Sequence, residues 1–155
     1  MTRLVTLLLA TALATAAPAA AEPAVPQLDS VCAPDLAAAA TLPPGTSAPL
    51  VCSGGRWQAT AAPADPSDRW VSFGPAIALH GEGLRNPNLL PGAWTATPLD
   101  PDTRCAATQQ TVISAGVVGP PTHTEGALGQ QLSFDVAPRL FDITMTGHCL
   151  WVRHT

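Results

Sequence analysis

Gln131-Leu132-Ser133-Phe134-Asp135-Val136 alternates polar and apolar side chains without a fault, and Asp142-Ile143-Thr144-Met145-Thr146 repeats the pattern after Phe141. A period of two is the signature of a strand, because successive Cβ atoms leave opposite faces of an extended chain. Leu132, Phe134 and Val136 then face a core while Ser133 and Asp135 face water, as in an antiparallel sheet with one wet side. Outward from there, Cys149-Leu150-Trp151-Val152 places Cys149 and Trp151 on one face. Gln110-Thr111-Val112-Ile113-Ser114 is rich in β-branched residues, Trp70-Val71-Ser72-Phe73 starts a strand, and Ala76-Ile77-Ala78-Leu79-His80 continues its apolar pattern. Leu89 to Ala96 reads as a turn entering a further strand, closed by the turn signal Asp100-Pro101-Asp102. Strands at this spacing predict an all-β fold: a small, disulfide-stabilised antiparallel β-sandwich or barrel.

Composition narrows the alternatives. The chain has 155 residues, a formal charge of −4 and only 12% charged residues, which excludes a charge-rich disordered tail and a strongly basic nucleic-acid binder. With 17 Pro and 12 Gly, the sequence is cut into pieces too short for a helical bundle. Every basic residue is an isolated Arg, so there is no polybasic stripe for phosphates or anionic lipid.

The chain opens with Met1-Thr2-Arg3, an apolar run from Leu4 to Ala17, and Ala19-Ala20-Ala21, which is the pattern of a secretory signal peptide cleaved after Ala21. The run is too short to span a bilayer, and the exported product is expected to be free in solution as a monomer. Four cysteines, Cys32, Cys52, Cys105 and Cys149, follow the leader, and an even number in an oxidising compartment predicts two disulfides. Three pairings are possible. Cys32–Cys52 with Cys105–Cys149 is favoured, because the Pro-rich stretch 59–69 reads as a linker between two regions. That division gives a signal peptide (1–21), a Cys-bridged, Pro/Ala-rich segment with a hairpin (22–58), the linker (59–69) and a sandwich-like domain (70–155). Within the first region, Pro34 to Thr41 is expected to make one or two helical turns, and Leu50-Val51-Cys52 with Arg56-Trp57-Gln58 a hairpin around Ser53-Gly54-Gly55.

The pattern Leu90-Pro91-Gly92-Ala93-Trp94, then Cys105, then Phe141 to Cys149-Leu150-Trp151 resembles small exported actinobacterial domains in which a Pro-Gly-Thr-aromatic strand start precedes one Cys and a Cys-x-Trp ends the unit. The likeness covers about 60 residues of the second region, and Ala93 stands where that pattern has Thr. It implies a structural or binding module. Separately, Leu50-Val51-Cys52-Ser53-Gly54-Gly55-Arg56-Trp57 is similar to Cys-x-Gly-Gly-x-Trp hairpins of secreted bacterial adhesive proteins.

Catalytic signals are sparse. No Gly-x-Ser-x-Gly elbow is present, Glu82 and Glu125 sit in or beside Gly-flanked turns, and Gly81-Glu82-Gly83 lacks the third glycine of a dinucleotide fingerprint. The four histidines, His80, His123, His148 and His154, have no i, i+4 partner among them, although His123-Thr124-Glu125 puts two potential ligands on one face of an extended segment. Trp94 and Trp151 are expected in the core. Trp57 and Trp70, flanking the linker, are expected to be partly exposed and are the first candidates for ligand contact. The expectation is a secreted, non-enzymatic β module, without cofactor or metal, that binds a cell-envelope or extracellular partner. Two rivals remain: a metal-binding or hydrolytic secreted protein using His80, His123 and Glu125, and a small inhibitor presenting the Cys32–Cys52 loop.

Overall fold

A computed structural model describes residues 23–155; the expected signal peptide lies outside the described residues. The strands are β1 (Ala40–Thr41), β2 (Leu50–Ser53), β3 (Arg56–Ala59), β4 (Arg69–His80), β5 (Gly92–Pro98), β6 (Ala106–Ser114), β7 (Val117–Val118), β8 (Thr122–Glu125), β9 (Leu132–Val136) and β10 (Leu140–Arg153). The fold is all-β, and the helical content of the described residues is a single 3-10 turn over Pro34–Leu36. The expected helix from Pro34 to Thr41 therefore shrinks to one turn. Eight residues are too few to offset the cost of helix nucleation, and the sheet competes for the same groups: Ala38 N–H donates to Cys52 O, Cys52 N–H donates to Ala39 O, and Ala40 enters β1.

The spine is the antiparallel pair β4–β10, running from Asp142↔His80 to Val152↔Arg69. The other edge of β10 is shared: its first half pairs with β6, its second with β5. The sheet thus forks. One branch follows β3-β2-β1-β4-β10-β5-β9, the other carries β6 with β7 and β8, and every pair is antiparallel except the single parallel contact of Ala40 with Trp70. Residues before and after the stretch 59–69 belong to this one sheet. Both branches close on a core containing Trp70, Ile77, Leu79, Trp94, Phe134, Ile143, Met145 and Trp151. Leu132, Phe134 and Val136 are buried and Ser133 and Asp135 exposed, as the alternation requires.

The fork has a local cause. The sequence suggests separate strands around residues 142–146 and 149–152, whereas β10 is continuous past a register shift between Met145 and Gly147, where β4 advances from Ile77 to Gly74. Gly147 has φ +93°, a region that L side chains rarely adopt, and a Cβ there would collide with the backbone oxygen of Arg104. Opposite it stands Gly74, at φ +90°. Ser72, fully buried, donates its Oγ–H to Gly147 O at 2.6 Å and accepts the indole N–H of Trp151 at 2.9 Å. The Cys105–Cys149 bridge, with Cα atoms 6.0 Å apart, ties the start of β6 to β10 at the same place. Gly147→Ala is expected to cost at least about 2 kcal/mol, since it adds backbone strain to a clash with a main-chain oxygen; a denaturant midpoint unchanged from the parent would contradict this account.

A second, smaller cluster covers the other face of the spine. Side chains alternate along β10, so Cys149 and Trp151 point to the central core while His148 and Leu150 point outward. Val71, with Phe73, Leu99 and Leu150, packs there against Cys32, Leu36, Ala39, Leu50, Cys52 and Trp57. The Cys32–Cys52 bridge, with Cα atoms 5.9 Å apart, pins this N-terminal layer. It also corrects the expected exposure of two tryptophans. Trp57 is only 2% exposed, packed edge-to-face on Phe73 with ring centroids 6.0 Å apart, and Trp70 is 1% exposed, opposite Trp151 in the central core with its indole N–H donated to Ser67 O at 3.1 Å. Both border the linker, which is why exposure is expected; Trp57 is enclosed by the N-terminal layer, and Trp70 points into the central core.

Candidate binding cleft

The seam between the N-terminal layer and the outer face of β4–β10 holds a cleft of about 520 Å³. Its floor and walls include Leu36, Trp57, Phe73, Leu99, Asp35 and His148, and residues 24–27 and 30–33 form one side. Val31 stands at this seam with 75% of its surface exposed, although the β-bridge to Arg56 fixes its backbone. Each wall has a sequence cause. Phe73 and His148 face each other across the β4–β10 register. Leu99 and Asp100 follow β5, where Leu99 N–H donates to His148 O at 2.9 Å.

His148 is the polar centre. Its ring lies over Phe73 with centroids 5.2 Å apart and planes tilted by 31°. Its Nδ1 meets the Asp100 carboxylate at 2.5 Å. A carboxylate only accepts, so Nδ1 carries the proton, and in the neutral ring Nε2 is an acceptor. The side chain is 17% exposed, so the ring is held and still reachable. Ser30, which also lines the cleft, uses its hydroxyl locally: Oγ donates to Gln27 O at 2.6 Å and accepts from Gln27 N at 3.1 Å. The arrangement suits holding a ligand by apolar contact and a few oriented polar atoms.

The other residues singled out from sequence are dispersed. His80 ends β4, where its Nε2 lies 2.8 Å from Asn86 O. His123 and Glu125 lie on β8, and the order β4-β10-β6-β8 puts them three strands away from His80, about 14 Å at ordinary strand spacing. No group of three or more His, Cys, Asp or Glu side chains that could hold a metal forms among the described residues. Comparison with known protein families, curated proteins and solved structures finds no match.

Trp57 lines the main cleft from beneath, and Trp70 lines a separate hollow of about 360 Å³ beside Pro49, Val51 and Asn88. Phe73, Leu99, Asp100 and His148 were not singled out as a group. One signal was available: if Cys149 and Trp151 face inward, period two turns His148 and Leu150 outward onto whatever covers that face. Beside β8, Arg104 Nη1 meets Glu125 Oε1 at 2.6 Å and His123 Nε2 stands 3.9 Å from Glu125 Oε2. The hydrogen bond from Arg104, with the nearby positive charge, holds Glu125 below the ordinary carboxylate value. A carboxylate lowered in the folded state favours folding above its ordinary value, and that contribution is lost as pH falls through the lowered one. Both partners are exposed, so the effect on stability is small. Arg104→Gln should return the Glu125 titration toward its ordinary range in carboxyl NMR, and an unchanged curve would refute the ion pair.

Proposed function

We propose that this chain is a secreted, non-enzymatic β module that binds a cell-envelope or extracellular partner through the cleft between its N-terminal layer and the outer face of β4–β10. The observation that carries this reading is the cleft itself: an apolar and aromatic hollow with one oriented histidine, its N-terminal side pinned by the Cys32–Cys52 disulfide. The signal-like opening Met1 to Ala21 and the pairing of all four cysteines support export, since disulfides persist in oxidising spaces. No helix among the described residues is long and apolar enough to cross a membrane.

The test uses the purified, oxidised protein sedimented with an insoluble envelope preparation, alongside a Phe73→Leu variant checked for unchanged thermal unfolding. The parent should co-sediment saturably, and the variant should bind about ten-fold more weakly, as truncation of a central aromatic contact does. Binding that ignores Phe73, or no binding to envelope material or extracellular protein fractions, overturns the reading.

A further inference from the structure

We propose that the cleft receives a cationic group: the side chain of a lysine or arginine carried on a peptide segment of the partner. This rests on the binding reading above and specifies its chemistry.

The cleft and its rim carry carboxylates, Asp35 in the lining and Asp100 behind His148. Asp35 and His148 line the cleft, and His148 turns its Nδ1–H to the Asp100 carboxylate. The Asp100 carboxylate adds negative charge behind that ring, in the way an outer partner orients and strengthens a histidine ligand. Among the described residues no arginine lines the cleft, and the chain contains no lysine. The two nearest guanidinium groups are already engaged by backbone carbonyls. Arg69 Nη2 donates to Asp35 O at 3.0 Å, and Arg56 Nη1 donates to Asp29 O at 2.6 Å.

The apolar surface fits the same ligand. Phe73 is half-buried and turned to the cleft, so its ring can contact a cation, and Leu36, Leu99 and Val31 flank it with aliphatic surface for a methylene stem. The formal charge of the whole chain, −4, favours approach of a basic segment at low ionic strength. Stacking of a sugar would fall to Phe73 alone, since Trp57, the indole of the cleft, is 2% exposed, and it would leave the Asp35 and Asp100 carboxylates without a charged partner. These features favour a basic peptide over a glycan.

The probes are end-blocked Ala/Gly hexapeptides carrying two Lys, two Arg, two Gln or two Glu, together with a chitin oligosaccharide, titrated into the oxidised protein and followed by NMR. The Lys and Arg peptides should shift the Phe73, Leu99 and His148 resonances saturably, less so as salt is raised, while the Gln and Glu peptides leave them in place. Asp35→Asn and Asp100→Asn, both at exposed positions, should each weaken binding by about five- to ten-fold with unchanged thermal unfolding. Equal shifts from the Gln or Glu peptides, shifts from the oligosaccharide alone, or indifference to both Asp→Asn changes overturns the inference. If envelope binding still depends on Phe73 while basic peptides fail, the charge assignment falls and the binding module stands. If neither assay reaches the cleft, both fall.

Discussion

Cys105→Ala/Cys149→Ala is expected to lower the folding free energy by about 4 kcal/mol, because opening the bridge restores to the unfolded chain the freedom of a loop with a sequence separation of 44. The paired substitution Cys32→Ala/Cys52→Ala opens a shorter loop, of separation 20, and should cost about 3 kcal/mol. The two losses also differ in place. The first bridge stands at the fork, fully buried between β6 and β10, so its removal leaves a void beside Met145 and Trp151 and should weaken hydrogen-exchange protection across both branches. The second pins the outer layer, so its removal should first free the residues covering Val71 and Phe73, with little change in β5 and β9. Urea unfolding and amide exchange of the two variants measure this. Equal, uniformly spread losses of protection would contradict the two-cluster description.

Trp151→Ala is the single substitution expected to do most damage, about 3–5 kcal/mol by the general cost of emptying an aromatic site. Trp151 is completely buried, packs edge-to-face on Phe134 with centroids 5.8 Å apart, and stands across from Trp70 on one side and Ala96 on the other. Its loss also removes the indole N–H from Ser72. Trp151→Phe keeps most of the ring and leaves Ser72 its bond to Gly147 O, so it should cost clearly less. A Phe variant as unstable as the Ala variant would place the importance in the hydrogen bond instead of the packing.

The parts of the fold that were legible in the sequence are those with one wet face. Leu132 to Val136 and Ile143 to Met145 alternate because only one side meets the core, and Cys149 and Trp151 share a face for the same reason. Pairing by region also predicted both bridges. What escaped was continuity. The stretches 142–146 and 149–152, read as separate strands, are one strand, β10, which passes through Gly147 opposite Gly74, and nothing local in the sequence announces that match. The cleft escaped for a related reason. It joins residues near 30, 57, 73, 99 and 148, each of which has an ordinary local explanation as a loop, hairpin, strand or turn residue. Only the folding of the N-terminal layer onto the outer face brings them together, and the same event buries Trp57.

The strand that borders three others is also the last to be delivered. β10 pairs with β4, β5 and β6, and the bond from Ser72 to Gly147 spans 75 positions. Whatever hands this polypeptide over from its amino end, a ribosome or a translocation channel, must release residues up to Arg153 before the spine exists. Until then β4, β5 and β6 lack their common neighbour, and the nascent polypeptide stays pliable enough to thread. Long-range pairing of this kind makes folding slow and nearly all-or-none, so acquisition of the native state is timed by the arrival of a single segment.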